Sequence, residues 1–468
     1  MIMTNKKSLN RREFLKRLGT AAASTAALTI VPFDALGKSS HLLPLPPQGG
    51  LRGASPSSLI PHPSSKMTYR RNRHSGDEVS ILGFGMMRLP SRDRRIDQDE
   101  VNRMVDYALA NGVNYFDTAP VYHGGRSEEA TGIALRRHPR EKWMVATKLS
   151  NFGRDDWTAE RSKAMYERSF EKLGVEVIDY YLLHNVGQGG FDAFKARFVD
   201  NGMIDFLVEE RKKGRIRNLG FSYHGDQRAY DWLMEHNDEY HWDFCQIQMN
   251  YLDWDYGHQL NGGNADASYL YAEAEKRGVQ VVIMESLRGG QLAKLPRAYE
   301  EQLKARRPDD SIASWAFRYL GTQPNVLTCL SGMSLMEHVV DNVKTCSPVD
   351  PLNSSESQLL AGIAASLATY RTIPCTTCAY CMPCPYGVDI PGNFKYYNNA
   401  VNDGTLPPVD HSAKDYKKLH KAYVSGYKKA IPKQAQASQC IGCEQCLSKC
   451  PQHIPIPENM AKLVELIS

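Results

Sequence analysis

Short apolar runs alternate with helical patterns from about residue 80 to residue 345. Eight of these runs are rich in β-branched or aromatic residues and predict strands: Ile81–Gly85, Asn114–Thr118, Trp143–Lys148, Ile178–His184, Ile216–Phe221, Phe244–Met249, Val279–Met284 and Val326–Leu330. Each run precedes a stretch with helical spacing, for example Gln98–Ala110, Thr158–Leu173, Tyr269–Arg277 and Leu335–Val343. Eight successive strand–helix units predict an α/β fold, a parallel (β/α)₈ TIM barrel.

An open, doubly wound parallel sheet would produce the same alternation of strands and helices. Such a sheet usually carries a G-x-G-x-x-G turn after its first strand. No turn of that type is present in this sequence, so the pattern favours the barrel.

Two segments precede the predicted barrel at 67–350. The stretch Asn10–Lys16 (Asn-Arg-Arg-Glu-Phe-Leu-Lys) resembles a twin-arginine export motif, and an alanine-rich stretch too short and mild for a membrane span follows it. We therefore expect a signal at 1–37 and a disordered Pro/Ser/Gly-rich linker at 38–66. The resemblance implies the twin-arginine translocase as a partner and a periplasmic location, or a cytoplasmic one if the signal is not functional.

Composition excludes some partners without identifying others. The chain has 468 residues and a formal net charge of +5, and no Lys/Arg block lies among aromatic residues as a nucleic-acid surface would require. Nowhere do eighteen apolar residues run together, so no membrane span is expected.

The 11 cysteines are distributed very unevenly. Cys245, Cys329 and Cys346 lie in or beside apolar runs and are expected to be buried thiols. The other eight form two runs, each ending in Cys-Pro: Cys375, Cys378, Cys381 and Cys384, then Cys440, Cys443, Cys446 and Cys450. This spacing predicts two [4Fe–4S] clusters.

In two-cluster ferredoxins the cysteine before proline ligates the other cluster. Cys450 is therefore expected to complete the set of the first run, and Cys384 the set of the second, although the first run spaces its last cysteine differently. Zinc held by four cysteines and disulfide bridges are the alternatives.

The predicted C-terminal domain, 351–468, is helical in pattern. Helices are expected at 352–373 and 414–429, and the motif Val388-x-Ile390-Pro391 is repeated as Ile454-x-Ile456-Pro457. This composition resembles the α-helical ferredoxin domains.

Four ionisable residues fall at or just after the ends of successive predicted strands: Asp117, Tyr122, Lys148 and His184. The C-terminal ends of barrel strands surround one point, so these side chains are expected to meet. A buried Lys beside Tyr would lower the tyrosine pKa, Asp would hold the Lys, and His would donate a hydrogen bond to a carbonyl oxygen. Hydride transfer from a nicotinamide needs such a proton donor and polarised carbonyl.

The set Asp-x₄-Tyr, Lys and His closely resembles the tetrad of the aldo-keto reductase family. The resemblance implies that Ser222 and Gln246 hold the nicotinamide carboxamide, and that Met284 replaces the usual stacking aromatic. It also implies that Gly332, Ser334 and Asn342 contact the adenosine part of NADP or NAD.

The sequence as a whole is similar to the ferredoxin-fused branch of that family. It predicts an oxidoreductase acting on a small carbonyl or alcohol substrate, with clusters that either exchange electrons with a redox partner protein or hold the C-terminal domain against the barrel mouth. The alternative is a redox-sensing or binding module that no longer turns over.

Overall fold

The structure, a computed structural model, describes residues 66–92 and 95–468. The export signal predicted at 1–37 and nearly all of the linker predicted at 38–66 lie outside the described residues. Within the described ranges, no helix is both long and apolar enough to cross a membrane.

Eight parallel strands close into a barrel in which each strand pairs with the next along the chain and the last pairs with the first. The strands are β1 (Leu82–Gly85), β2 (Tyr115–Asp117), β3 (Met144–Leu149), β4 (Ile178–Val186), β5 (Ile216–Tyr223), β6 (Phe244–Gln248), β7 (Gln280–Met284) and β8 (Val326–Ser331). The predicted fold class is confirmed, and every predicted strand lies within two residues of its observed bounds.

The α-helices of the described residues are numbered α1 to α16 in chain order. Their bounds are Gln98–Ala110, Ser127–Leu135, Ala159–Leu173, Phe191–Phe194, Met203–Lys212, Gln227–Glu235, Asn237–Tyr240, Asp253–Leu260, Ala267–Lys276, Arg297–Arg306, Ile312–Thr322, Met336–Thr345, Ser354–Ala368, Ile390–Asn402, Tyr416–Ala430 and Ile456–Ile467.

The barrel interior is filled by side chains and is not a pore. Tyr115, Tyr180 and Phe244 pack edge-to-face there, with ring centroids 4.9 and 5.2 Å apart. A hairpin of Tyr69–Arg71 and Glu78–Ser80 closes the end where the strands begin. In its turn, Asn72 Nδ2 donates to the Tyr180 hydroxyl at 3.1 Å. The open end of the barrel is therefore the one where the strands finish.

Helix α13 ends earlier than the apolar stripe over 352–373 predicts. It covers Ser354–Ala368, and its start is fixed by a capping box between Asn353 and Glu356. The Glu356 carboxylate also accepts from Arg318 of α11 at 2.8 Å, which ties this helix to the barrel. The three early cysteines are buried, as expected.

The C-terminal region has a core of its own, built around the repeated motif. Val388 and Ile454 are buried in that core, and each following Ile-Pro pair opens a helix, α14 or α16. Proline is well placed there because the first turn of a helix leaves its backbone N–H groups unpaired.

Two helical glycines provide a matched test of how the helices pack. A Cβ at Gly132 in α2 would lie 2.5 Å from the carbonyl oxygen of Leu173 at the end of α3, whereas a Cβ at Gly362 in α13 meets nothing within 4 Å. We expect Gly132→Ala to destabilise the fold by about 1–3 kcal/mol through overpacking. Gly362→Ala should stabilise it by about 0.5–1 kcal/mol. Denaturant unfolding followed by circular dichroism measures both, and equal shifts would contradict the close approach of α2 and α3.

Candidate active site

The structure brings the four predicted catalytic side chains together at the open end of the barrel. Lys148 Nζ donates to Asp117 Oδ1 at 2.5 Å and to the Thr118 carbonyl at 2.8 Å. The Tyr122 ring stands edge-to-face on the His184 ring with centroids 5.9 Å apart, and Lys148 Nζ lies 5.1 Å from the centre of the Tyr122 ring. All four side chains are buried.

Asp117 and Lys148 form an ion pair that is almost closed to solvent. Burial lowers the pKa of Lys148 and raises that of Asp117, and in each case the partner charge opposes the shift. Asp117 Oδ2 has no hydrogen-bond partner within the described residues. This second carboxylate oxygen can therefore accept a further hydrogen bond beside the ammonium group.

His184 is held as a neutral imidazole. Burial lowers its pKa well below the ordinary 6.5, and the charges of Lys148 and Arg197 lower it further. Its Nδ1 lies 2.6 Å from the Ser150 hydroxyl. When Ser150 donates to Nδ1, the ring proton is on Nε2, where it can be donated to an oxygen of a ligand.

Arg197 is a supporting residue that the sequence analysis missed. Its buried guanidinium donates to the backbone carbonyls of His184 at 2.7 Å and Asn185 at 3.1 Å, which fixes the end of β4. No pattern marks this role, because Arg197 lies in a short helical segment and not at a strand end.

The pKa of Tyr122 corrects one expectation. Lys148 was expected to lower it, but burial raises it well above the ordinary 10, and the neighbouring Tyr380 and Asp117 raise it further. The reason is geometric: the ammonium group of Lys148 lies over the ring of Tyr122, and its protons are directed to Asp117 and Thr118. The phenol is therefore kept protonated.

A cavity of about 730 Å³ contains all the side chains predicted to bind a nucleotide as well as the four catalytic ones. Its predicted nucleotide-binding members are Ser222, Gln246, Met284, Gly332, Ser334 and Asn342. Gln246 Oε1 is buried without a partner in the described chain, which suits an amide N–H of a nicotinamide. At the far end, a Cβ on Gly332 would come 2.8 Å from Arg88 Cδ, so a larger residue does not fit there without moving Arg88. These residues fit a nicotinamide nucleotide.

The C-terminal region supplies one wall of this cavity, with Thr377, Cys378, Tyr380, Lys395 and Pro451. The sequence analysis did not assign these residues to the site. They are held there by polar contacts with the barrel. One is a pair of hydrogen bonds between the amides of Gln248 and Gln452, at 2.8 and 3.4 Å.

The eight clustered cysteines fall into two groups. Burial raises the pKa of Cys375 to about 12, and the nearby thiols of Cys378 and Cys450 add to the rise. Cys381 is likewise raised by burial and then by Cys378, Cys375 and Cys450. Cys450 therefore lies close to the first run.

The second group combines the other run with Cys384. Burial raises the pKa of Cys446, and Cys440, Cys443 and Cys384 raise it further. These four residues line one small cavity, to which Cys381 of the first run also contributes. Among the described residues, no three His, Cys, Asp or Glu side chains converge closely enough to ligate a single metal ion.

A second depression, of about 970 Å³, lies where the strands begin. Its charged groups neutralise one another: Arg140 donates to Asp179 at 2.7 Å, and Arg217 to Asp77 at 2.5 Å. Polar groups at this end of a barrel typically serve stability, so the catalytic candidates are confined to the opposite end.

Comparison with known proteins identifies both parts of the chain. The sequence model of the Aldo/keto reductase family matches residues 81–364, and that of a 4Fe-4S dicluster domain matches residues 374–454.

Individual relatives match less of the chain. An uncharacterized oxidoreductase of Bacillus subtilis is 25% identical over 311 residues, 60% of this chain and 92% of that protein. L-galactose dehydrogenase of Arabidopsis thaliana is 29% identical over 161 residues, 34% of this chain, which thus spans 49% of that enzyme's length.

Solved structures extend the likeness of the fold. The holo form of an aldo-keto reductase from Bacillus halodurans superposes with a TM-score of 0.52 and 24% identity, covering 64% of this chain and 96% of that one. An aldo/keto reductase from Klebsiella pneumoniae, in complex with NADP and acetate, gives 0.50 and 20%, covering 64% and 95%.

The depressed pKa of His184 gives the fold a pH dependence of definite sign. Below about pH 6.5 the unfolded chain binds a proton that buried His184 excludes, so this part of the free energy of unfolding is present above that pH and is lost as the pH falls toward the folded pKa. The loss is at most ~1.4 kcal/mol per pH unit. Unfolding titrations between about pH 8 and pH 5.5 should show a smaller loss for His184→Asn than for the parent. Exposed His411→Asn is the control, and a loss in His184→Asn equal to the parent's would contradict the assignment.

Proposed function

Because this chain belongs to the aldo/keto reductase family and carries a 4Fe-4S dicluster domain, we propose that it reduces a small carbonyl substrate, or oxidises the corresponding alcohol, with NADP or NAD. The observation that carries the proposal is the convergence of Asp117, Tyr122, Lys148 and His184 in the cavity that also contains the predicted nucleotide-binding residues.

In this proposal Tyr122 donates the proton to the substrate oxygen during reduction. Its raised pKa keeps the phenol protonated at working pH, which a proton donor requires. Neutral His184 directs an N–H to the same oxygen and polarises the carbonyl. The ion pair with Asp117 fixes the ammonium group of Lys148, which packs against the Tyr122 ring. A bound nicotinamide supplies or accepts the hydride.

Binding of the nucleotide is divided between two ends of the cavity. Gln246 and Ser222 hold the carboxamide, and Met284 covers one face of the ring with an adaptable apolar side chain. Gly332, Ser334 and Asn342 contact the adenosine part, where Asn342 Nδ2 already donates to the Ser331 hydroxyl at 2.9 Å.

We further propose two [4Fe–4S] clusters, one on Cys375, Cys378, Cys381 and Cys450 and the other on Cys440, Cys443, Cys446 and Cys384. Cys378 lines the catalytic cavity, whereas Cys443 is exposed. This gradient supports electron exchange between an external redox partner protein and the second cluster.

The catalytic role of Tyr122 is tested by Tyr122→Phe, which removes the proposed proton donor and keeps the ring. We expect aldehyde reduction by cluster-loaded protein to fall about 10²–10⁴-fold. Nucleotide affinity, measured by fluorescence titration, should change little. Tyr107→Phe, on the outer helix α1, is the matched control. Unchanged turnover in Tyr122→Phe would remove this residue from the mechanism, and a parent that turns over no aldehyde, ketone or alcohol would favour a non-turnover sensing module.

The ligand sets are tested by iron and acid-labile sulfide analysis of protein purified without oxygen. Two cubane clusters require about eight of each per chain, and Cys384→Ser should lower both to about four. Cys346→Ala, a buried thiol of the barrel, should leave both counts unchanged. Zinc in place of iron, or full loading of Cys384→Ser, would contradict the assignment.

A further inference from the structure

The first cysteine run brings an aromatic side chain into the catalytic cavity. Tyr380, between Cys378 and Cys381, lines this cavity together with Tyr122 and His184. Its ring lies edge-on to Phe152 with centroids 6.1 Å apart, and the Phe152 and His184 ring centroids are 4.9 Å apart. Tyr380 is therefore part of the same aromatic group as the catalytic side chains.

The hydroxyl groups of Tyr122 and Tyr380 interact directly. After burial, the charge of Tyr380 and a hydrogen bond with it raise the pKa of Tyr122. Either hydroxyl can donate in a bond between two tyrosines, and in both cases the bond links Tyr380 to the Tyr122 hydroxyl. Tyr380 thus restricts where the Tyr122 hydroxyl points.

The backbone around this tyrosine is strained. Thr377 and Ala379, which flank Cys378, both have left-handed φ angles, 53° and 64°. Such conformations are costly in non-glycine residues and persist only where the surroundings impose them. Ligation of a cluster by the cysteines on both sides of Tyr380 would be one such constraint.

The barrel imposes the other. Arg88 donates to the Thr377 carbonyl at 3.2 Å and to the Thr376 carbonyl at 2.5 Å. Gly289, after β7, approaches so closely that a Cβ would lie 2.2 Å from the Thr376 oxygen. Gln291 donates to the Cys375 carbonyl at 2.9 Å. The cysteine run is thus seated on the loops that border the catalytic cavity.

We propose that the first cysteine run completes the catalytic centre, with Tyr380 as the positioning residue that orients the Tyr122 hydroxyl. Full turnover in the barrel then depends on a cluster at Cys375, Cys378, Cys381 and Cys450, because that cluster fixes the loop that presents Tyr380. This inference rests on the proposed function for the role of Tyr122, and it extends that function by making barrel chemistry depend on cluster occupancy.

Tyr380→Phe in the full-length, cluster-loaded protein tests the positioning role. We expect kcat to fall about 10-fold, less than for loss of the proton donor itself, with the KM for nucleotide unchanged. The alkaline limb of the pH–rate profile should move to lower pH, because the interaction that favours the protonated form of Tyr122 is removed. Tyr416→Phe, on α15 in the same region and outside the cavity, is the matched control. An unaltered kcat and pH profile in Tyr380→Phe would overturn the inference and leave the proposed function standing.

Hydrogen–deuterium exchange tests the dependence on the cluster without turnover, so a failure of the proposed function would be recognised separately. Cys375→Ser removes a ligand of the first set, and Cys384→Ser removes one of the second. We expect faster exchange at residues 119–125 in Cys375→Ser than in Cys384→Ser, with β4 reporting that the barrel stays folded in both. Equal exchange at residues 119–125 in the two variants would overturn the coupling between the cluster and the site.

Discussion

A lysine ammonium group that is only 1% exposed lies at the centre of the barrel mouth. A buried charge without a partner costs several kcal/mol, so Lys148 is tolerated only where oxygen acceptors surround it. Asp117 and the Thr118 carbonyl are those acceptors, and they reach it because β2 pairs with β3 in a register that sets Asp117 opposite Ala146. The position of the Tyr122 ring follows from this pair, since the ring rests on the ammonium group. The strand register therefore determines both how the charge of Lys148 is compensated and where the catalytic side chains lie.

The C-terminal region changes the environment of that mouth. It covers the cavity with the loop around Tyr380 and with Pro451, and it is held by neutral amide contacts such as Gln248–Gln452 and a bond from Gln188 to the Ser448 carbonyl at 2.9 Å. Covering the mouth excludes water, which strengthens every electrostatic interaction inside. Neutral His184 and protonated Tyr122 are both consequences of this dry environment.

The sequence predicted the barrel and the tetrad well, because each depends on local patterns: apolar runs mark the strands, and strand ends place Asp117, Lys148 and His184. The cysteine spacing predicted a 4Fe-4S domain, which the dicluster family model matches, while the two ligand sets stay a prediction. Tyr380 was not assigned to the site, because its position depends on how two regions dock and no periodicity records docking. The direction of the Tyr122 pKa shift was also wrong, since the sequence places Lys148 nearby but does not say which part of the tyrosine it faces.

The proposed thiol sets interleave two cysteine runs that α14 and α15 separate in the chain. During synthesis, the first run supplies only three of the four proposed ligands of the first cluster. Its last cysteine, Cys384, belongs to the second set, whose other members lie beyond residue 439. Neither set can enclose a cubane until synthesis has passed Cys446, and the first set needs Cys450. An incompletely ligated cluster leaves an iron atom open to water and oxygen. In the proposed arrangement, a chain that stops short of Cys446 therefore holds no fully ligated cluster, however well its barrel has folded.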